Sequence, residues 1–309
     1  MMKKNVLSFK NLNKIYTRKN SNSIKALNNL NLDVNEGEIF GLLGPNGAGK
    51  TTFINILGGT VIKTSGKVNV QGFDLDKDPR QVRASIGIVP QEINLDPFFS
   101  PRKILELQAG LYGIKKKDRI TETILKMVSL NNQADSYARS LSGGMKRRLL
   151  MAKALVHQPP IIILDEPTAG VDVDLRKNLW KNVKLLNDSG VTIILTTHYL
   201  EEAEKMCDRI GILNKGNLVA LDTTKNLLNR IQTKKVIFKT NKKIEIKDEI
   251  LKSLKIIHNK DYELYVSYEK NKIKIEEIIN LIKTKNVEIN DVVTYDADLE
   301  DVFLQLTKN

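Results

Sequence analysis

The residues Gly44, Pro45, Asn46, Gly47, Ala48, Gly49, Lys50, Thr51 and Thr52 follow the spacing G-x-x-x-x-G-K-T. In this pattern glycines permit turns that aim successive backbone N–H groups at a phosphate. An apolar run, residues 39–43, leads in and a helical pattern, residues 52–57, leads out, so the partial positive charge of a helix N-terminus adds to the cradle. In that setting the Lys50 ammonium is expected to bridge the terminal phosphates of a nucleoside triphosphate, and the Thr51 hydroxyl to serve Mg²⁺. A flexible glycine turn is the bland alternative; it accounts for neither the lysine nor the flanking elements.

Asp165 and Glu166 end another apolar run, residues 161–164. Adjacent side chains on an extended chain point to opposite sides, so the two carboxylates are expected to divide the work. Asp165 would hold Mg²⁺, directly or through water, and Glu166 would polarise the attacking water. Alone, the same dipeptide also reads as a solvated turn. Gln91 and His198 close two further runs, 86–90 and 191–197. The Gln91 amide oxygen can bind Mg²⁺ or water, and a neutral imidazole at His198 can hydrogen-bond a terminal phosphate. For each the alternative is an ordinary structural or surface polar group. His157 and His258 have no such setting.

The four runs are continuous rather than alternating, as in strands buried on both faces. A helical pattern through Leu175, Leu179, Val183 and Leu186 begins behind Asp172 or Asp174 as N-cap. This alternation predicts an α/β fold with a mostly parallel core sheet, whose ligands bind beyond the carboxyl ends of the strands. The cradle, the acidic pair, Gln91 and His198 all fall at such ends, so one nucleotide can meet them all. Over residues 96–157 strand signals give way to helices, predicted at 102–112, 118–130 and 144–156, as an inserted helical subdomain. After Asp222 the texture changes again. Strands near 236–240 and 262–268 predict a small α/β domain over residues 223–309, with helix faces through Ile275, Ile278, Ile279, Ile282 and through Leu299, Val302, Phe303, Leu306.

Residues 141–144 read LSGG and open the last helix of the inserted segment. They provide a second helix N-terminus suited to an anion, with the Ser142 hydroxyl as an added donor; alone, the motif is also simply a serine-capped helix. Together the motifs resemble the ATP-binding subunit of ABC transporters over about residues 6–222. In that resemblance GPNGAGKTT is Walker A, Gln91 the Q-loop, LSGG the signature and IIILDE Walker B. TAGVD, ending in Asp172, is similar to the D-loop, and His198 to the switch histidine. Tyr16, within LNKIY, resembles the aromatic residue that stacks on adenine, the other reading being a core tyrosine. The resemblance implies a P-loop NTPase of the ABC ATPase type that includes an antiparallel β region and uses ATP and Mg²⁺. It also implies a head-to-tail dimer. There the signature loop of one protomer, Ser142, Gly143 and Gly144, meets the ATP cradled by the other, with Ser142 and Gly144 making the contacts. SGGMKRRL, THYLEEAE and LEDVFLQLT resemble the bacterial type 2 exporter branch, whose ATPases pair with separate permeases and in which Met145 replaces the commoner Gln. In that branch the C-terminal domain supports dimerisation or regulation; simple packing against the ATPase is the alternative here.

With 309 residues, 41% apolar and 28% charged, the composition argues against a disordered, collagenous or coiled-coil chain. No run of eighteen apolar residues and no apolar leader in MMKKNVLSFKNLNK is present. The expectation is a cytoplasmic protein, peripheral on the inner face of the cell membrane. A lone Cys207 excludes an intrachain disulfide framework and a Cys-rich zinc site, leaving packing as its role. The net charge of +13 is concentrated in residues 1–221, with 32 basic against 21 acidic residues; residues 222–309 carry 17 against 15. Such a basic body attracts nucleotides, anionic membranes and nucleic acid alike, and Lys115 to Lys117 and Lys146 to Arg148 read most simply as solvated faces. A DNA- or ribosome-directed ABC ATPase is the rival reading. Its relatives usually carry paired cassettes, coiled-coil insertions or zinc-binding cysteines, none of which the sequence shows, and a sensor without turnover would lack a residue like Glu166. The sequence therefore predicts an ATP-hydrolysing motor with a second ATPase subunit and an integral membrane permease as partners, and no nucleic acid. The permease is expected to dock near residues 91–101, where Phe98 and Phe99 are either apolar contacts or internal core.

Overall fold

The computed structural model describes residues 4–18, 21–169, 173–244, 254–260, 262–295 and 298–307, and the chain divides after Asp222 into two compact units. In the first unit, strands β1 (Asn5–Arg18) and β2 (Ser21–Asn35) pair antiparallel. Strand β3 (Ile39–Leu43), buried at every position, feeds helix α1 (Lys50–Leu57). Strands β4 (Ser65–Val70) and β5 (Phe73–Asp74) complete a four-stranded sheet in the order β2-β1-β4-β5. Phe9 of β1 rests on Phe53 of α1, ring centroids 4.6 Å apart, within one continuous core. The antiparallel sheet thus buries the apolar face of the helix that the phosphate motif opens.

Helix α2 (Pro79–Ala84) and strand β6 (Ile86–Val89) precede three helices that leave the sheet: α3 (Pro101–Leu111), α4 (Thr121–Met127) and α5 (Gly143–Leu155). Pro101 at the first position and Ser100, whose Oγ accepts from the Lys103 N–H, start α3. The chain then returns through β7 (Ile161–Asp165), α6 (Val173–Asp188), β8 (Thr192–Thr196), α7 (Leu200–Met206), β9 (Arg209–Asn214) and β10 (Asn217–Thr223). The second sheet has the order β10-β9-β3-β8-β7-β6, and its pairs from β9 to β6 are all parallel. The fold is α/β, with the site residues gathered where the parallel strands end.

The second unit holds α8 (Thr224–Asn229), β11 (Thr233–Thr240), β12 (Leu254–Lys260), β13 (Glu263–Glu269), α9 (Ile275–Lys283), β14 (Ile289–Tyr295) and α10 (Leu299–Thr307). Its antiparallel sheet runs β12-β13-β11-β14. Val236, Phe238, Leu264 and Val266 pack with Ile278 and Ile282 of α9 in a core of their own.

Several local expectations are corrected. The helix after the cradle starts at Lys50, earlier than the pattern suggests, because Gly49 makes the entry turn at φ 112°. Strands β6 and β8 stop at Val89 and Thr196, which leaves Gln91 and His198 in the following turns. Residues 118–130 do not form one helix; α4 is flanked by single 3-10 turns at Lys116–Asp118 and Asn131–Gln133. Asp174 lies inside the first turn of α6 rather than capping it, and Asp172 falls outside the described residues. Lys115 to Lys117 are exposed, but Arg147 is buried, so the second basic cluster is not a uniformly solvated face. Cys207 is buried in the core, where burial pushes its thiol pKa far up. Among the described residues, no helix is long and apolar enough to cross a membrane.

Candidate active site

The cradle depends on close backbone approach. A Cβ on Gly44 would lie 2.5 Å from the Leu213 carbonyl oxygen and 2.8 Å from Ala48 Cβ, and one on Gly49 would lie 2.5 Å from the Ala26 carbonyl oxygen. Only glycine fits at either position. Helix α1 has no side-chain cap and no acidic residue in its first turn, so nothing of the chain's own competes for an anion there. Lys50 is buried, and its Nζ donates to the carbonyl oxygens of Gly44 at 2.6 Å and Pro45 at 3.3 Å. Burial lowers the pKa of the ammonium, while Glu166 and Asp165 oppose that shift.

Asp165 and Glu166 do diverge, but not by strand alternation. Glu166 lies past the end of β7 with φ 45°, a left-handed conformation that a residue other than glycine adopts at a cost. Its N–H is held by the Thr196 carbonyl at 3.0 Å and hydroxyl at 3.2 Å. The same hydroxyl donates to Asp165 Oδ1 at 2.5 Å. Burial raises the Asp165 pKa, Thr196 opposes the rise, Glu166 adds to it, and Lys50 and Arg147 oppose it. Glu166 Oε2 accepts from Gln91 Nε2 at 3.0 Å and meets His198 Nδ1 at 3.2 Å. Three turns, after β6, β7 and β8, therefore converge on one carboxylate oxygen.

The surroundings brace this triangle. His198 packs on Tyr199 with centroids 4.2 Å apart, and the Arg176 guanidinium lies over the Tyr199 ring at 4.9 Å. Arg176 pairs with buried Glu202, whose other oxygen accepts from the Thr168 hydroxyl at 2.7 Å. Arg147, which the sequence placed among solvated charges, hydrogen-bonds the backbone on both sides of the site. Its helical spacing with Leu150, Met151 and Ala154, all buried, is the signal that marks it as inward-facing.

Ser142 caps α5, accepting from the Met145 N–H at 3.3 Å. Its hydroxyl proton stays available, so capping and anion donation coexist. Among the described residues no hydrogen bond joins Ser142, Gly143 or Gly144 to the cradle of the same chain. Tyr16 is 37% exposed with Lys14 Nζ 4.7 Å from its ring centroid, which rules out the core-tyrosine reading. Phe98 and Phe99 are likewise exposed rather than internal. His157 stacks on Tyr112 at 3.7 Å, and His258, in the second unit, meets Tyr265 edge-on.

For Mg²⁺ the donor chemistry fits. The site offers oxygen groups, the Thr51 hydroxyl, the Asp165 carboxylate and the Gln91 amide oxygen. The half-buried Asp165 carboxylate is one whose charge a divalent cation would stabilise. Among the described residues no group of three or more His, Cys, Asp or Glu gathers as a metal cage. Mg²⁺ bound with a nucleotide is usually held by one or two carboxylates together with phosphate oxygens.

A glycine cradle with an inward lysine after β3, an acidic pair at the end of β7, separated from β3 in the sheet by β8, and the polar side chains of Gln91 and His198 beside that pair define a P-loop nucleoside triphosphatase. The family model described as ABC transporter matches residues 27–169. The linearmycin resistance ATP-binding protein LnrL of Bacillus subtilis (strain 168) is 33% identical over 98% of both chains. The Nod factor export ATP-binding protein I of Rhizobium sp. (strain N33) is 42% identical over 63% of this chain and 65% of its own. A dimeric post-hydrolysis ATP-binding cassette, MJ0796 bound to ADP and phosphate, superposes with a TM-score of 0.63 at 30% identity, covering 71% of this chain and 98% of that one. The chain belongs to the ABC transporter ATP-binding family, and its activity is ATP binding and hydrolysis.

Proposed function

We propose that this ATPase pairs with a second copy of itself and powers export through a separate integral membrane permease, from the inner face of the cell membrane. The observation that carries the hydrolytic part is the meeting of Gln91, Glu166 and His198 on one carboxylate oxygen. Gly44 to Thr52 hold the phosphates, with Lys50 as the fixed charge, and Tyr16 stacks on adenine. Thr51, Asp165 and Gln91 hold Mg²⁺, which when bound neutralises charge on the phosphate oxygens. Glu166 accepts the proton of the attacking water. His198, whose Nδ1 lies 3.2 Å from Glu166 Oε2, exchanges that contact for a hydrogen bond to the terminal phosphate and so responds to the phosphate's presence. Residues 1–222 form the ATPase domain, with residues 96–157 as its helical subdomain, and residues 223–309 form an accessory domain that supports dimerisation or regulation. Asp172, in the segment similar to the D-loop, belongs to the nucleotide-binding residues in this reading. The names of LnrL and the Nod factor protein, which speak of resistance and export, support the direction.

Each chain has one cradle and one LSGG, and among the described residues no hydrogen bond joins them; in this reading the sites complete each other across a dimer. Specific ATPase activity of the purified chain should rise with protein concentration. Ser142→Arg should poison mixed dimers by crowding the phosphate of the partner's nucleotide. Constant activity per chain from the nanomolar range upward, in a verified monomer, would sink the two-site arrangement. The permease partner is tested separately. A photoactivatable cross-linker on a cysteine at Phe98, whose ring is 66% exposed, should capture an integral membrane protein from cell membranes. Ribosomal or DNA-bound adducts in its place would overturn the transport reading.

A further inference from the structure

Resting on the ATPase reading above, we propose that Arg147 is a positioning residue that couples the LSGG helix to the hydrolytic pair of its own chain. Arg147 lies five residues after Ser142 on α5 and is 5% exposed. Its Nη1 donates to the carbonyl oxygens of Pro90 at 3.1 Å and Gln91 at 2.7 Å. Its Nη2 donates to those of Glu166 and Ala169, both at 3.4 Å. One planar fork therefore grips the backbone of the two residues whose side chains meet at 3.0 Å, Gln91 and Glu166. Ala169 lies at the start of TAGVD, so the grip also reaches the segment leading to Asp172.

The choice of side chain shows what the grip supplies. Among the described residues no carboxylate forms an ion pair with Arg147; backbone carbonyls and the more distant field of Asp165 balance its charge. A buried cation held in this way pays desolvation that an apolar side chain of similar length would avoid. Packing α5 against the sheet does not require it. The guanidinium adds direction, because its donors are coplanar and fixed relative to one another, so a rotation of α5 must move both loops together or break bonds to one of them. The LSGG motif at the start of α5 is the part that senses the partner's nucleotide. Through Arg147 that contact sets the distance between Gln91 and Glu166 in the same chain, making hydrolysis at one cradle depend on engagement of the other.

The test uses the full chain with Arg147→Met and Arg147→Lys, alone and combined with Gln91→Ala. Misplacing a catalytic group by about 1 Å costs on the order of a hundredfold. In Arg147→Met, kcat should fall by about ten- to a hundredfold while the Kd for ATP stays within about twofold of wild type. Arg147→Lys, whose single ammonium cannot span both loops, should recover only part of the loss. Because Arg147 acts through Gln91 and Glu166, adding it to Gln91→Ala should lower kcat little further than the larger single effect, rather than multiplying the two. Wild-type kcat in both variants, a loss that tracks ATP affinity, or multiplicative losses with Gln91→Ala would each overturn the proposal. If the Met variant does not fold, the Lys variant decides: reduced kcat with wild-type Kd supports the coupling, and wild-type kcat overturns it. Failure of the underlying ATPase reading shows separately, as unchanged turnover in Glu166→Gln.

Discussion

Glu166→Gln should lower ATP turnover by about 10²- to 10⁴-fold, the range spanned by removal of a positioned general base, while ATP binding survives. The substitution suits this site unusually well. Glu166 Oε2 already accepts from Gln91 Nε2 and meets His198 Nδ1, and an amide oxygen in its place can accept the same bonds. Size, backbone turn and neighbours are kept, and what disappears is the negative charge that takes a proton from water. The side chain is 12% exposed, so bulk solvent has little opportunity to replace it. Asp165 keeps its Thr196 hydrogen bond and its place beside Lys50, so the ground-state complex with nucleotide should persist. The measurement is steady-state hydrolysis beside an ATP titration. Turnover at the wild-type level would remove Glu166 from the mechanism, and a parallel loss of affinity would assign it to binding instead.

The parts of the molecule that the sequence reveals are those in which one physical constraint dominates. Strands β3 and β8 are buried at every position, so their apolar runs are continuous, and the cradle's Gly44 and His198 follow within two residues of the strand ends. Chemistry follows directly, because ligands in such sheets bind at those ends. Strands β1 and β2 are harder to read. Register shifts interrupt their ladder, and Asn11 and Asn29 adopt positive φ, so the burial of Val6, Leu7, Phe9 and Leu12 loses its period of two. Only the family resemblance, not the residue pattern, implies the antiparallel region. In the second unit β12 and β14 are edge strands with mostly partial or exposed burial, which leaves their apolar signal too weak to mark them in the sequence.

At the site, the sequence singles out Gln91, Glu166 and His198, which the fold brings together, but not the backbone that directs them. Period-two reasoning separated Asp165 from Glu166 for the wrong local reason; the separation comes from the turn at Glu166, pinned by Thr196. Three consecutive basic residues resemble a solvated surface by composition, and only the burial shared with Leu150, Met151 and Ala154 reveals that Arg147 points inward. Both errors arise from contacts between residues distant in the chain. Local spacing cannot report a carbonyl 56 residues away from the guanidinium that it binds.

Lys50→Ala should produce the opposite phenotype, loss of nucleotide binding before any question of turnover arises. The wild-type ammonium is held inside the cradle by the Gly44 and Pro45 carbonyls and by the nearby negative charges of Glu166 and Asp165. Its pKa is drawn down by burial, so a phosphate, which stabilises the charged form, is a better partner than the carbonyls it would exchange for. Charge-assisted bonds to phosphate are strong in such a setting, and losing them should weaken ATP by about a hundredfold or more. The backbone donors of Gly47 to Thr51 remain, but Asp165 and Glu166 then face the triphosphate without the intervening cation, which adds repulsion to the lost attraction. ADP, with less charge at the terminal position, should be weakened less than ATP. Fluorescent-nucleotide titrations with both ligands, alongside a thermal melt showing a folded variant, make the comparison. Tight ATP binding by folded Lys50→Ala would show that the backbone cradle alone holds the triphosphate and that the lysine serves a later step.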